Sequence, residues 1–560
     1  MQALSIWALR SRSEDGFLPI SADRSIGGLA CAVCAPLLAG YASTVAAADS
    51  SSSLAAPAIV HESLLSDEQT VPNILREGFA IKTPTSLLWP LDGLPLPAFA
   101  DAAPGQGISA AISTLDPPTA AGSSNPDESN PDESNLNKRF GWPTDDESRF
   151  VARGQMTYIW QRQYAFHADY TGPNSLSPAP QTTYTLSFTG YLGARAPWEG
   201  GELYVDPEAF EAHPLSNLLG LAGIQNAELQ KASGVELRAY LARAFVRQTF
   251  ELGGESREVP AGFNQLATYC DSRRLVFTLG KSPLTDFFGR NSYASDPRTQ
   301  FMNWALITYG AYDYAADARG YNIGGFAELD WDNWAFRAGR GMEPSIANGR
   351  SNYYNLFKRH GDQVEIQHDH EVHGLPGSVS VLVYRNVANA GNYTQAVALA
   401  QATGTTPDIT ANRTLAAKNG YGLSVEQSLS PAVGVWARGM WCDCKVEQYA
   451  FTEIDNMISA GISLKGSIWQ RAEDTVGAGF SLNGLSPSHR AYLAAGGLGG
   501  FIGDGQLNYA KEQNYEIYYS AQVYRGVHLA GDYQRIVNPA YNLDRHGPVN
   551  ILGARVHVEF

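Results

Sequence analysis

Sixteen stretches of period-two alternation, joined by links that are alternately short and long, constrain this chain more than any other feature. The stretches begin near residues 152, 181, 198, 236, 274, 319, 334, 362, 377, 418, 433, 456, 476, 513, 526 and 548. In 418–429, Tyr421, Leu423, Val425 and Leu429 fall on one face, and Gly422, Ser424, Glu426 and Ser428 on the other. Successive side chains of a strand point to opposite faces, so each stretch has one oily and one polar side. Links 196–199, 331–333, 374–376, 430–431 and 524–525 are short. Links 165–180, 208–235, 282–318, 342–361, 387–417, 443–455, 483–512 and 534–547 are long. Two links on the short side, 252–273 and 467–475, exceed the others, and the irregular stretch 236–251 predicts a bulge. An even strand number with short turns on one rim and long loops on the other predicts an all-β fold, a transmembrane antiparallel β-barrel of about 16 strands. A sandwich has no such rim asymmetry, and a propeller would repeat at about 40–50 residues.

The closing segment, 548–560, carries the pattern to the last residue. Leu552, Ala554, Val556, Val558 and Phe560 share a face that suits lipid. The other face is expected to put Asn550 and Arg555 in the lumen, with His557 and Glu559 at the periplasmic mouth. Phe560 is expected to act in assembly, as a signal to the barrel-assembly machinery. Composition agrees with a barrel: 28 Tyr, 11 Trp and 55 Gly, with only 17% charged residues. Beyond residue 48 no apolar run is long enough for a spanning helix, which needs roughly 20 residues.

The N-terminal quarter is different. Residues 26–48 are uncharged, follow Arg10, Arg12 and Arg24, and end in three alanines. They read as the end of a signal peptide covering 1–48. Residues 49–145 are rich in Ala, Pro, Ser and acids, with the pentapeptide NPDES twice in tandem at 125–134. Such sequence buries too little apolar area to offset chain entropy, so a largely disordered periplasmic extension is expected. Twelve of the 56 acids, against two bases, lie in 49–137. The net charge of −16 therefore belongs mostly to this segment, and the barrel domain, 146–560, is close to balanced. No basic stripe points to nucleic acid.

Sixteen strands leave a water-filled lumen. A charge on the lipid face at midplane costs roughly 2–4 kcal/mol, so mid-strand charges should point inward. This nominates Glu328, Arg337, Glu365, Glu426 and Arg438 as lumen wall. Link 282–318 is apolar and aromatic for a loop and is expected to fold into the lumen and narrow it. It and the residue after it hold Arg290, Asp296, Arg298, Trp304, Asp313, Asp317 and Arg319. Aromatic rings stack on a sugar face, Arg donates to hydroxyl oxygens and Asp accepts from hydroxyl hydrogens. An alternative is that Asp296 and Arg298 only cap or bridge within the loop.

Five segments carry a family resemblance: 154–176 (GQMTYIWQRQYAFHADYTGPNSL), 198–210 (WEGGELYVDPEAF), 279–306, 317–329 (DARGYNIGGFAEL) and 531–560. In this order they resemble the OprB-type carbohydrate-selective porins. The resemblance implies an outer-membrane barrel passing glucose-like sugars by facilitated diffusion, with no cofactor. It also implies arginines and acids at the constriction, here Asp296, Arg298, Arg319 and Arg290. The partners expected are small carbohydrates, outer-membrane lipid and, as for porins in general, other copies in a homotrimer. Rival readings are a channel exporting an acidic polysaccharide, which calls for a strongly basic lumen, and a barrel hydrolase or receptor.

Other motifs add little. His368, His370 and His373 are expected at the periplasmic interface and not on a metal. Cys442 and Cys444 share a face, which leaves free thiols or a redox-labile pair open, and Cys270 should lie on the opposite rim. No G-x-S-x-G, H-E-x-x-H or P-loop pattern is present, and no catalytic residue is assigned.

Overall fold

The computed structural model describes residues 148–231, 236–450 and 453–560. The expected signal peptide and extension, 1–48 and 49–145, lie outside the described residues. Among the described residues, sixteen strands close an antiparallel barrel. They are β1 (Phe150–Gln163), β2 (Gln181–Arg195), β3 (Gly201–His213), β4 (Arg238–Glu251), β7 (Arg273–Ser282), β8 (Asn322–Trp331), β9 (Trp334–Met342), β10 (His360–Val372), β11 (Leu375–Ala390), β12 (Thr414–Ser430), β13 (Val433–Cys442), β14 (Asn456–Lys465), β15 (Thr475–Gly484), β16 (Glu512–Tyr524), β17 (Val527–Val537) and β18 (Val549–Glu559). A short hairpin, β5 (Ser256–Val259) and β6 (Thr268–Asp271), accounts for the unusual length of link 252–273. The expected bulge falls in β4: Asp206 pairs with Arg243 and Pro207 with Leu241, which leaves Ala242 unpaired. A proline cannot donate to the ladder, so the register slips there.

The seam closes as the terminal pattern predicts. β1 pairs β18 from Gln155 and Glu559 to Gln163 and Ile551. Phe560 and Gly154 then exchange backbone hydrogen bonds of 2.7 and 2.9 Å. The Phe560 ring lies where a Cβ on Gly154 would stand, so a side chain there would displace the ring.

Alternation sorts the two faces. In β16, Tyr515, Ile517 and Tyr519 are exposed, whereas Glu512, Asn514, Glu516 and Tyr518 are buried inward. Trp198, Trp331, Trp334 and Tyr524 form part of an exposed aromatic girdle on the short-turn rim; Trp160, Tyr421, Trp441 and Tyr533 do the same on the other. One expectation fails by parity. Asn550 cannot share a face with Arg555, five positions away; it lies outside, where its Oδ1 accepts the Tyr533 hydroxyl at 2.8 Å. The inward neighbours Val549 and Ile551 are apolar and pack with Leu176, Leu215, Leu221 and Ile536.

The long loops fill much of the lumen. Link 283–321 crosses it with Phe288, Phe301, Trp304, Tyr309, Tyr312 and Tyr314 buried. Its short helix α1 (Trp304–Ile307) is capped by Asn303, whose side chain accepts the Ala305 N–H. Phe301 meets Trp436 and Tyr518 edge-on, with centroids at 5.7 and 5.0 Å. Two further helices, α2 (Tyr393–Thr403) and α3 (Pro487–Ala494), lie in long links on the loop rim. There Cys442 and Cys444 lie with Cα atoms 5.2 Å apart and their sulfurs in contact, the spacing of a disulfide pair. Cys270 is free and sits in β6, on the short-turn side.

Candidate functional site

Two cavities remain along the wall formed by β3, β4 and β7, an upper one of about 750 Å³ and, nearer the short turns, a lower one of about 820 Å³. They meet at Arg247, Gln265, Asp286, Phe287 and Arg290, which line both and so mark the waist.

Local structure places these groups. Pro283 ends β7 and a single turn, Leu284–Asp286, lifts Asp286 and Phe287 into the lumen. Phe287 stacks on Phe326 of the wall at 4.7 Å. β4 supplies Arg243 and Arg247, four residues apart and on the inward face beyond the bulge. Arg243 grips Asp286 through a two-bond fork of 2.7 and 2.9 Å. Arg247 donates to Glu202 at 3.3 Å and lies over the Tyr204 ring at 4.9 Å. From the short-turn rim, the β5–β6 hairpin tip reaches in: Asn264 donates to Asp206 at 2.8 Å, and Phe263 packs on Tyr191 at 4.5 Å.

Arg298 stands at the centre of the larger charge network. Its Nη2 lies 2.8 Å from Glu208 and 2.9 Å from Glu228, and Nη1 donates to Thr189 at 3.0 Å. Burial disfavours its charge, but the carboxylates of Glu228 and Glu208 outweigh that and hold it well above the usual arginine value. Asp296 accepts the backbone N–H of Arg298 at 2.9 Å and the Thr299 hydroxyl at 3.0 Å, an Asx turn that presents Arg298 to the wall. Asp296 caps within the loop, as the alternative has it, but Arg298 bridges out of the loop to β3 and Glu228, and its edge lines the upper cavity. Arg319 lies over the Tyr240 ring at 4.2 Å, and it and Trp304 line the same cavity.

Two expected constriction residues lie elsewhere. Asp313 is buried against Lys418 at 3.0 Å and accepts the N–H groups of Tyr449 and Ala450. Asp317 accepts the N–H groups of Arg319 and Tyr321 and shapes the turn before β8. Neither lines either of these two cavities: neighbouring backbone engages both, and Lys418 also pairs with Asp313. The most important omissions from the sequence reading are Glu208, Arg243 and Arg247. They are visible as inward-parity charges in 201–213 and 238–251, obscured by the bulge.

The nominated wall charges all point inward, and most hold the loop. Glu365 accepts the Gly289 N–H at 2.7 Å, and Glu426 accepts the Ser292 N–H at 2.7 Å. Arg438 donates to the carbonyls of Leu306 at 2.9 Å and Ala294 at 2.6 Å. Arg337 bridges Glu328 and Glu365, and Glu328 and Arg337 also line the lower cavity. Arg555 and Glu516 were not nominated as anchors. Arg555 holds the Pro297 and Gln300 carbonyls, and Glu516 accepts from Asn303 at 2.9 Å. On the short-turn rim, the ring nitrogens of His368 and His370 meet Asn333 and Gln427 at 2.8 and 3.1 Å.

Comparison with known proteins accords with this architecture. Residues 173–560 match the family described as "Carbohydrate-selective porin, OprB family". The high-pH structure of Pseudomonas putida OprB superposes with a TM-score of 0.58 at 15% identity, covering 77% of this chain and 97% of that one. Its low-pH structure gives 0.42 at 11% identity, over 77% and 98%. The outer-membrane channel DcaP of Acinetobacter baumannii gives 0.39 at 11% identity, over 73% and 97%. No curated protein matches the chain.

Proposed function

The chain belongs to the OprB family of carbohydrate-selective porins, a non-enzymatic outer-membrane channel, and on that premise we propose where it selects its sugar. Selection falls at the waist between the two cavities and just above it, on Arg247, Arg290, Arg298 and Arg319 with Asp286, Glu208 and the rings of Tyr191, Phe287 and Tyr321. The observation that carries this is that bases and acids line one cavity together, beside aromatic rings. Guanidinium edges left over from their ion pairs donate to hydroxyl oxygens, the carboxylates accept, and the rings cover the apolar sugar face. Because acids pair the bases, the lining has no single-sign field, which disfavours export of a polyanion. Asp313 and Asp317 have no part in it.

The test is block of ion current by sugars in planar bilayers. Arg298→Ala is expected to weaken the block about tenfold, near 1.4 kcal/mol; unchanged sugar affinity would remove Arg298 from the site. Liposome swelling in neutral sugars checks the channel itself. We further infer that Phe560 is read during assembly: deleting it should lower the yield of folded barrel and leave single-channel conductance unchanged. The homotrimer expected from porins in general is read from the mass of the detergent-solubilised protein.

A further inference from the structure

Away from the sugar path, on the loop rim, two imidazoles and a carboxylate converge from opposite ends of the chain. His167 and Asp169 belong to the loop after β1, and His546 to the loop before β18. His167 Nε2 lies 2.9 Å from Asp169 Oδ1, and His546 Nε2 lies 3.8 Å from the same oxygen. The two imidazole rings stack with centroids 5.4 Å apart. One donor atom from each residue fits within 4.8 Å of the other two, and all three side chains are exposed.

We propose that His167, Asp169 and His546 form a binding site for a divalent transition-metal ion, Zn²⁺ by chemistry. Zinc bonds of about 2.0–2.2 Å in tetrahedral array place donors roughly 3.3 Å apart. The two separations from Asp169 straddle that value, and the third, between the two imidazoles, lies within 4.8 Å, so side-chain rotation alone can bring the three donors onto one ion. Two neutral nitrogens with one carboxylate suit zinc or copper and disfavour calcium and magnesium, which take oxygen. Three protein ligands leave a fourth position to water.

The scaffold beneath is already assembled, so binding does not have to order it. The Asp169 N–H donates to the Asp544 carbonyl at 3.0 Å. Arg545, itself buried, donates to the carbonyls of Tyr170 and Leu176 and ties the second loop to the first. Asn542 donates to the Tyr170 hydroxyl at 2.7 Å. None of these contacts uses His167 or His546, whose rings stay at the surface. A bound ion would staple the first and last loops across the seam where β1 meets β18.

Zinc titration of the purified full-length porin in detergent, followed by calorimetry, tests this. One equivalent is expected to bind in the micromolar range. Outer-shell partners of a metal commonly cost 10–100-fold in affinity, so His167→Ala or His546→Ala, each removing a direct ligand, should cost about 100-fold or more. His368→Ala/His370→Ala, on the far rim, should bind as the parent does. In the Cu²⁺-loaded protein, electron paramagnetic resonance should show coupling to two imidazole nitrogens, and to one in His546→Ala. Both histidines are exposed, so the variants should unfold at the same temperature as the parent barrel. Failure of the parent to take up zinc at millimolar concentration would overturn the proposal. So would wild-type affinity in the double variant His167→Ala/His546→Ala, or loss of the equivalent in His368→Ala/His370→Ala.

Discussion

Two halves of the same lumen use the same residue types for opposite ends. Along β10 to β18, Glu365, Glu426, Arg438, Glu516 and Arg555 spend their hydrogen bonds on backbone N–H and carbonyl groups of the crossing loop. Along β3 and β4, Glu208, Arg243 and Arg247 meet mainly other side chains and stay beside a cavity. A charge buried against backbone is an anchor, because its partners cannot leave without losing their own pairing. A charge paired with another side chain beside water can exchange that partner for a sugar hydroxyl. The partner, and not the residue type, separates scaffold from selector.

The most damaging way to break that contrast is Arg438→Ala. It leaves the carbonyls of Leu306 and Ala294 buried without a donor, at a cost of roughly 4 kcal/mol. Single-channel conductance should rise as the loop loosens, and the unfolding temperature should fall. Unchanged conductance would mean that the anchors do not hold the aperture.

A pH scan probes the anchored side outside the strands. His489 of α3 is fully buried, stacks on Tyr393 at 4.2 Å and lies 3.2 Å from Asp455. Burial opposes its charge, but Asp455 beside it prevails and pushes its pKa up to about 9. A group raised in the folded state stabilises fully below its unfolded value, near 6.5, and loses that contribution as pH climbs through about 9. The amount is on the order of 3 kcal/mol. Thermal unfolding between neutral pH and pH about 10 should show the loss in the parent and not in His489→Gln.

The smallest effect sharpens the other side. Arg290 is exposed in the lumen at the waist, and no hydrogen bond or ion pair engages its side chain among the described residues. Arg290→Ala should leave stability within about 0.5 kcal/mol and weaken sugar block roughly threefold. A large stability loss would place Arg290 among the anchors.

Most of the fold was readable because strand signals are local. Every barrel strand begins within four residues of the alternation that announced it, and the bulge in β4 showed as a lapse in that alternation. Asn550 was misassigned by ignoring the same parity. The site was less readable. Asp313 and Asp317 resemble Asp296 in sequence, yet Lys418 and the backbone of 449–450 claim the first, and its own turn claims the second. Nothing within a few residues of Asp313 announces Lys418, more than a hundred positions away.

The sequence alone determined that this chain closes a barrel, which face of each strand meets lipid, and which link carries the aromatic residues that cross the lumen. Those properties follow from a repeat of two residues and from link lengths, both local. Only the tertiary structure decided which charges grip the loop and which face the opening. That depends on where a link of some forty residues comes to rest, and its resting place is set by backbone hydrogen bonds to strands far away in the chain.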